Sequence, residues 1–452
     1  MPGRKYLYTE RAHYMSPNMH FGIMAEIGSE FDADGIIESI GVLRSAHPLM
    51  RSLIAEEEGS SMIYYEEHPE LEIPITIKEA DDNWQTDYEA VSSAGWNAQK
   101  EALLKVYAYP SESGTRVLFI THHLLCDGRG LLQLVQEFAD HYTSGARPHL
   151  VDEKLMERLD DLPNGSDLRF ISRALIRDAN KKWHKEGHRV SYDEYLEFER
   201  DHDRKQDIKR EIKRVDGEEL DTLLGLCREN GVSLNDYLVA KMMIDEKTNK
   251  VVIASDIRNK IKNYKEGSLG NYATAFSVVV KKKTSEIMEL AKAVDHEVRS
   301  IISKPDREML VLSCYFNMDP GLLDAIAIST LGSFESKAGR FVGSKMFGYE
   351  KRDGHCITNL GKVESNVISE AVFIPPASPA NSKAWGVLTI NKKMRICSIH
   401  QCNARFCGLC SEFPCDRLPQ MISWNPEIIN HLSKLRDEYS SLKGIDIDGN
   451  QN

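Results

Sequence analysis

The segment His122-His123-Leu124-Leu125-Cys126-Asp127-Gly128 sets two imidazoles beside a carboxylate, and imidazole is the side chain best suited to take and return a proton near neutral pH. It ends an apolar run, Val117 to Thr121, that reads as a β-strand. Successive strand residues point to opposite faces, so Leu118, Ile120 and His122 share one side and Phe119, Thr121 and His123 the other. The two rings are therefore poorly placed to chelate one metal. One should face packing and the other a cleft. A lone strand histidine is usually a satisfied core residue; the pair followed by Asp-Gly is what favours a catalytic reading.

The second group with chemical potential is Cys397, Cys402, Cys407, Cys410 and Cys415. Cys407-Gly-Leu-Cys410 has the spacing that presents two thiolates to one metal, with Cys402 and Cys415 flanking it. A structural zinc is expected ahead of an iron–sulfur cluster or redox-active thiols. Four tetrahedral positions leave one spare thiol, assigned to Cys397 at a strand end. Cys126, Cys227, Cys314 and Cys356 are scattered, as suits buried thiols in a reducing compartment. Other signatures are missing: there is no G-x-S-x-G elbow and no phosphate loop, and Gly128-Arg-Gly130 supplies only the start of a G-x-G-x-x-G.

The elements that must hold these residues belong to a chain of 452 residues, 41% hydrophobic and 28% charged, which suits two globular lobes. A net charge of -12 has the wrong sign for a general nucleic-acid binder. No apolar run is long enough to cross a bilayer, and Met1 to Ser16 lacks the apolar core of a secretory signal, so a cytoplasmic protein is expected. A monomer is expected as well. Four regions are predicted: a lobe over 1–150, a charged connector over 151–205, a second lobe over 206–395, and a cysteine-rich tail with a helix over 396–452. The first lobe should hold a strand from Met19 to Ile27 and a helix capped by Asp32 or Asp34 and stopped at His47-Pro48. An extended stretch from Leu49 to Ile54 and strands over Leu103 to Tyr109 and Val117 to Thr121 follow, then a helix from Leu131 to Tyr142. The second should hold a strand from Glu211 to Val215, helices over Glu218 to Arg228 and from Ser233 to Met243, and a strand from Val251 to Ser255. Tyr272 to Val280, Met309 to Phe316, Ala371 to Ile374 and Gly386 to Ile390 read as further strands. In the tail, Trp424 opens a helix carrying Ile428, Ile429, Leu432 and Leu435.

At His122-His123 through Asp127-Gly128 the sequence resembles the H-H-x-x-x-D-G signature of the chloramphenicol acetyltransferase-like superfamily, which includes peptide-synthetase condensation domains and alcohol acetyltransferases. Arg44-Ser-Ala-His47-Pro48-Leu49-Met50-Arg51, Asn230 to Asp236, Ser255-Asp256-Ile257-Arg258, Leu269-Gly270-Asn271-Tyr272 and Thr358-Asn359-Leu360-Gly361 are similar to further family segments and fall in the family's order. The resemblance implies an α/β fold of two lobes around a central tunnel. It implies acyl transfer from a thioester of coenzyme A, or of a carrier protein, to a small alcohol or amine, with no catalytic cofactor. His123 would be the general base and His122 a supporting residue. Asp127 would pair with Arg258 of the other lobe, and Gly128 would give room for the turn. Asn271 or Thr274 would supply oxyanion donors, and Lys281-Lys282-Lys283 could meet coenzyme A phosphates. A binding protein that kept the fold and lost the chemistry is the reading from another class. The tail's Cys410-Ser-Glu-Phe413-Pro414-Cys415 departs from this family and resembles a small cysteine-rich family of no assigned function.

Overall fold

A computed structural model describes residues 4–204, 206–281, 284–332, 334–401, 427, 430–435 and 437. They fall into two units, Met1–Lys205 with Lys209–His400 and Gln206–Ile208 with Gln401–Asn452. In the second unit residues 430–435 are helical, which takes in Leu432 and Leu435. Trp424, Ile428 and Ile429 lie outside the described residues, as do Cys402, Cys407, Cys410 and Cys415.

The strands are β1 (Lys5–Tyr6), β2 (His20–Ile27), β3 (Ser52–Glu56), β4 (Ile63–Glu67), β5 (Ile75–Ile77), β6 (Leu104–Ser111), β7 (Gly114–His122), β8 (Ile208–Asp216), β9 (Lys250–Asp256), β10 (Ala273–Val279), β11 (Gly354–Val363), β12 (Ile368–Ile374), β13 (Asn381–Ile390) and β14 (Lys393–Gln401). The helices are α1 (Ala33–Ala46), α2 (Trp84–Ala94), α3 (Gly128–Ser144), α4 (Phe170–Glu186), α5 (Tyr192–Arg204), α6 (Gly217–Glu229), α7 (Leu234–Asp245), α8 (Ile287–Ile302), α9 (Pro305–Glu308), α10 (Leu310–Asn317), α11 (Pro320–Leu331) and α12 (Lys337–Lys345). Two mixed sheets dominate, one ordered β12-β2-β7-β6-β5 and the other β10-β9-β11-β13-β14-β8.

The strand bearing the histidines is central in the first sheet. It pairs antiparallel with β2, His20 opposite His122 and Ile23 opposite Phe119, and with β6 on its other side. Phe119 belongs to the core that includes α1 and α3, whereas Leu118 and Ile120 join Tyr88, Val91 and Trp96 on the opposite face. Burial on both faces is why β2 and β7 read as near-continuous apolar runs. Asp32 caps α1 by accepting from the Asp34 amide, and extended His47 ends the helix before Pro48, as the clash of proline with a preceding helical residue requires. Pro48–Arg51 then form a 3-10 turn, so the extended stretch begins only at Ser52.

Two expected strands are corrected. Met309 to Phe316 is helical, within α10 and its cap; Met309, Leu312, Ser313 and Cys314 are the buried positions, one helix face hidden in a short run that is apolar but for Ser313. Ala371 to Ile374 is a strand, but of the first sheet. β11 and β13 are parallel neighbours in the second sheet, and the chain between them crosses over to place β12 antiparallel on β2. The segment expected to be a charged connector carries α4 and α5, whose Ile176, Ala179, Trp183 and Tyr195 share the core of the first sheet.

His47 ties α1 to α3. Its buried ring lies 2.6 Å from Glu137 and 3.7 Å from Glu153, with Lys5 beyond Glu153 at 3.4 Å. Burial opposes protonation, but the two carboxylates outweigh it and raise the imidazole to about 9. An unfolded histidine titrates near about 6.5, so this stabilisation is complete below that pH and is lost as pH rises through about 9. His47→Gln is expected to cost on the order of 3 kcal/mol at pH 6 and much less at pH 10. Urea midpoints of both proteins at the two pH values check this; an equal loss at both would show that His47 is uncharged in the fold.

Candidate active site

His123 follows the last residue of β7, where its amide donates to the Met19 carbonyl at 2.7 Å and its ring stays partly exposed. Asn271, from the loop entering β10, holds it from the other half of the molecule. The Asn271 Nδ2 donates to the His123 carbonyl at 2.8 Å, and its Oδ1 lies 2.7 Å from His123 Nδ1. A carbonyl can only accept, so the amide's nitrogen must face it, and Oδ1 must face the imidazole. Nδ1 therefore carries the proton, and Nε2 keeps its lone pair. Burial lowers the His123 pKa below the ordinary imidazole value, opposed by the nearby Asp127 charge and the Asn271 bond. The result is a neutral imidazole of one tautomer, able to accept a proton at Nε2.

Asp127 is the joint between the sheets. It caps α3 by accepting from Gly130 N at 3.0 Å, and takes the Tyr272 amide at 2.8 Å. Arg258, in the 3-10 turn after β9, meets it with both guanidinium nitrogens at 2.7 and 3.0 Å. Burial alone would raise the Asp127 pKa; Arg258 and the backbone donors bring it below the usual carboxylate range. The Asp127 amide donates in turn to Gly270 O at 3.1 Å. Gly270 has φ +132°, which a side chain rarely adopts, and a Cβ there would lie 2.9 Å from Leu155. These bonds fix the loop that carries Asn271, so Asp127 acts on His123 through the scaffold.

The remaining expected residues separate. His122 is buried beside Trp96, accepts from the Leu124 amide at Nδ1, and is held neutral, near about 3, by burial and the neighbouring His20 and His123. It is a packing histidine. Gly128 serves a close helix–strand approach, since a Cβ there would lie 2.8 Å from Leu360 of β11 and 3.3 Å from Phe373 of β12. Thr274 donates to the Glu308 carbonyl at 3.1 Å and is buried. Thr274 thus spends its hydroxyl proton within the protein, while Asn271 gives one of its two amide N–H groups to the His123 carbonyl and its Oδ1 to the His123 ring. Cys397, the one cysteine of the tail group among the described residues, lies in the apolar cluster with Met24 and Tyr88, and burial pushes its thiol up to about 12. A thiol so held is a poor metal ligand. Lys282 and Lys283 lie outside the described residues, and no metal-competent cluster occurs among those described.

His13 was not foreseen. Its ring stacks on His123 at 4.1 Å and 16°, while Phe21 meets the same imidazole edge-on at 4.9 Å. The 3-10 turn Glu10–His13 is pinned by Arg11, whose guanidinium meets the Asp324 carboxylate on α11 at 3.0 and 2.5 Å and also donates to the Ser61 carbonyl. His13 Nδ1 is buried with no partner among the described residues. Burial, then His123 and His122, holds the His13 pKa well below the usual imidazole value. A second neutral ring thus walls the first. No periodicity or spacing in the amino-terminal stretch signals this contact.

No curated protein matches the chain by sequence. Among solved structures, a trichothecene 15-O-acetyltransferase from Fusarium sporotrichioides is similar with TM-score 0.58 and 11% identity, covering 88% of this chain and 90% of that one. Polyketide synthase associated protein 5 from Mycobacterium tuberculosis is similar with TM-score 0.52 and 13% identity over 88% and 92% of the two chains. The epimerization domain from the third module of tyrocidine synthetase B gives 0.50 and 14% over 87% and 88%. At such identities the likeness is one of fold. The condensation-domain family matches residues 5–307, a stretch that contains His123, Asp127, Arg258 and Asn271. The chain therefore belongs to the condensation-domain family.

Proposed function

We propose that the chain is an acyltransferase that moves an acyl group from a coenzyme A thioester to a small hydroxyl or amine, with His123 as general base. The observation that supports this is the fixed tautomer of His123, whose Nε2 lone pair has no partner among the described residues. Nε2 takes the acceptor's proton as its oxygen or nitrogen bonds to the thioester carbonyl carbon. The carbon–sulfur bond then breaks, and the departing thiolate recovers that proton from Nε2. Asn271 keeps Nδ1 protonated throughout, and the His13 and Phe21 rings hold the imidazole plane.

A carrier-protein thioester as donor is the second reading, favoured by the condensation-domain match at residues 5–307. Thiol release from acyl-coenzyme A species and from acyl-loaded carrier proteins, across a panel of alcohols and amines, separates the two. Acceptor-dependent release from at least one coenzyme A thioester is the expected result. Release from carriers alone would install the second reading. If acyl-coenzyme A species raise the melting point yet never turn over, the chain is a binding protein of this fold.

A further inference from the structure

One surface of the molecule carries chemistry that acyl transfer does not use. Helix α4 buries Ile176, Ala179 and Trp183, a stripe at helical spacing that fixes which side faces the protein. The side away from this stripe opens with Phe170, 84% exposed; Ile171, 72% exposed, lies on its flank, and Leu175, 46% exposed, borders the stripe. Large apolar side chains adjacent in sequence and so fully in water, at the very start of a helix, form an apolar tip. Farther along the same helix, Arg177, Lys181 and Lys185 are exposed.

Helix α12 extends this surface. Glu186, at the end of α4, accepts from Ser336 Oγ at 2.6 Å and the Ala338 amide at 2.9 Å in the first turn of α12. One turn earlier on α4, Lys182 lies 5.5 Å from the Phe341 ring centre, so the two helices run side by side in opposite directions. α12 adds exposed Lys337, Arg340 and Lys345, and half-exposed Met346 follows it. Arg173 is neutralised by Asp167 and Lys182 by Asp178, and Arg169 pairs with Asp306. Arg177, Lys181, Lys185, Lys337, Arg340 and Lys345 form no ion pair within 4 Å among the described residues; Asp178, paired with Lys182, is the carboxylate near enough to feel Lys181 and Lys185. A chain of net charge -12 thus gathers unpaired cations on two packed helices, beside an apolar tip.

We propose that the α4–α12 face docks on an anionic lipid bilayer. Cations lying in the headgroup layer gain from the negative surface potential, and the tip of Phe170, Ile171 and Leu175 leaves water for the acyl boundary. Charge selects the membrane, and the apolar tip turns attraction into attachment. Such docking is peripheral: among the described residues no helix is long and apolar enough to cross a membrane. The inference is independent of the acyl-transfer reading, because it uses none of the residues around His123.

Flotation of the full chain with vesicles tests it. Vesicles of phosphatidylcholine are compared with vesicles carrying about 30% phosphatidylglycerol, which supply the negative surface the proposal requires. The wild type should float with the anionic vesicles at least about tenfold better than with the neutral ones, and added salt should release it. Arg177→Glu/Lys181→Glu/Lys185→Glu should lower flotation by about tenfold or more. Phe170→Ser/Ile171→Ser, which keeps every charge, should lower it by a similar factor. All these side chains are exposed, and unchanged melting curves would show both variants folded. If the wild type stays off anionic vesicles at low salt, the proposal falls and an acidic protein becomes the better partner for the face. Equal flotation by both variants and the wild type would overturn it too.

Discussion

His123→Ala is expected to lower thiol release by roughly 10²–10⁴-fold, the range for removal of a positioned general base. The ring is partly exposed, and its hydrogen bond to Asn271 can pass to water, so the melting point should move little. The pH profile gives a second readout. Burial lowers the His123 pKa, so wild-type activity should rise through an apparent value below about 6.5 and stay level above it. The residual rate of His123→Ala should lack that limb. Full turnover in the alanine variant would remove His123 from the chemistry and leave the binding-protein reading.

The largest stability effect is expected at Asp127. Asp127→Ala leaves Arg258 with the exposed Asp256, 3.1 Å away, as its remaining ionic partner and orphans the Gly130 and Tyr272 amides at once. A broken buried pair typically costs about 3–5 kcal/mol, and Asp256 places this loss toward the lower end. Arg258→Ala should cost less. It leaves Asp127 with both backbone donors, and the stranded-charge penalty is partly offset by them. The double variant should be more stable than the sum of the single losses by about 0.5–3 kcal/mol, because the second change removes the charge left by the first. Denaturant unfolding of the four proteins measures this coupling. Simple additivity would mean that the bidentate contact contributes nothing. Activity should fall with Asp127→Ala as well, since the loop carrying Asn271 is released from its anchor.

Much of this site could be read from residue order alone. The alternation Leu118-Phe119-Ile120-Thr121-His122-His123 separates the two histidines, and the structure buries one while leaving the other partly open. Asp127 and Arg258, far apart in the chain, meet as the family resemblance implied. Local periodicity cannot reach further. Asn271 or Thr274 was expected to supply an oxyanion donor; that Asn271 also clamps the carbonyl and the ring of His123 and sets its tautomer shows only in the distances. Met309 to Phe316 is apolar at almost every position, so helix and strand spacings fit it equally well until burial selects one. Ala371 to Ile374 announced itself as a strand, but nothing in it names β2 as its partner. His13 lacks any motif, because ring stacking asks only for an aromatic brought near by the path of the chain.

That path has a further consequence, which concerns how the chain reaches its fold. β12 closes the first sheet by pairing Ile374 with Gly22 and Ala371 with Ala25, so an edge begun near the amino terminus waits for residues made near the end of the body. Until then β2 exposes a row of unpaired amides and carbonyls along an apolar strand, the situation in which chains pair with the wrong neighbour. A nascent chain that has emerged only through residue 205 holds four of the five strands and an open edge. Contacts of such sequence separation are formed late and slowly. Synthesis of this protein is thus expected to depend on chaperone cover for that edge until Phe373 and its neighbours arrive, and separately expressed halves should aggregate.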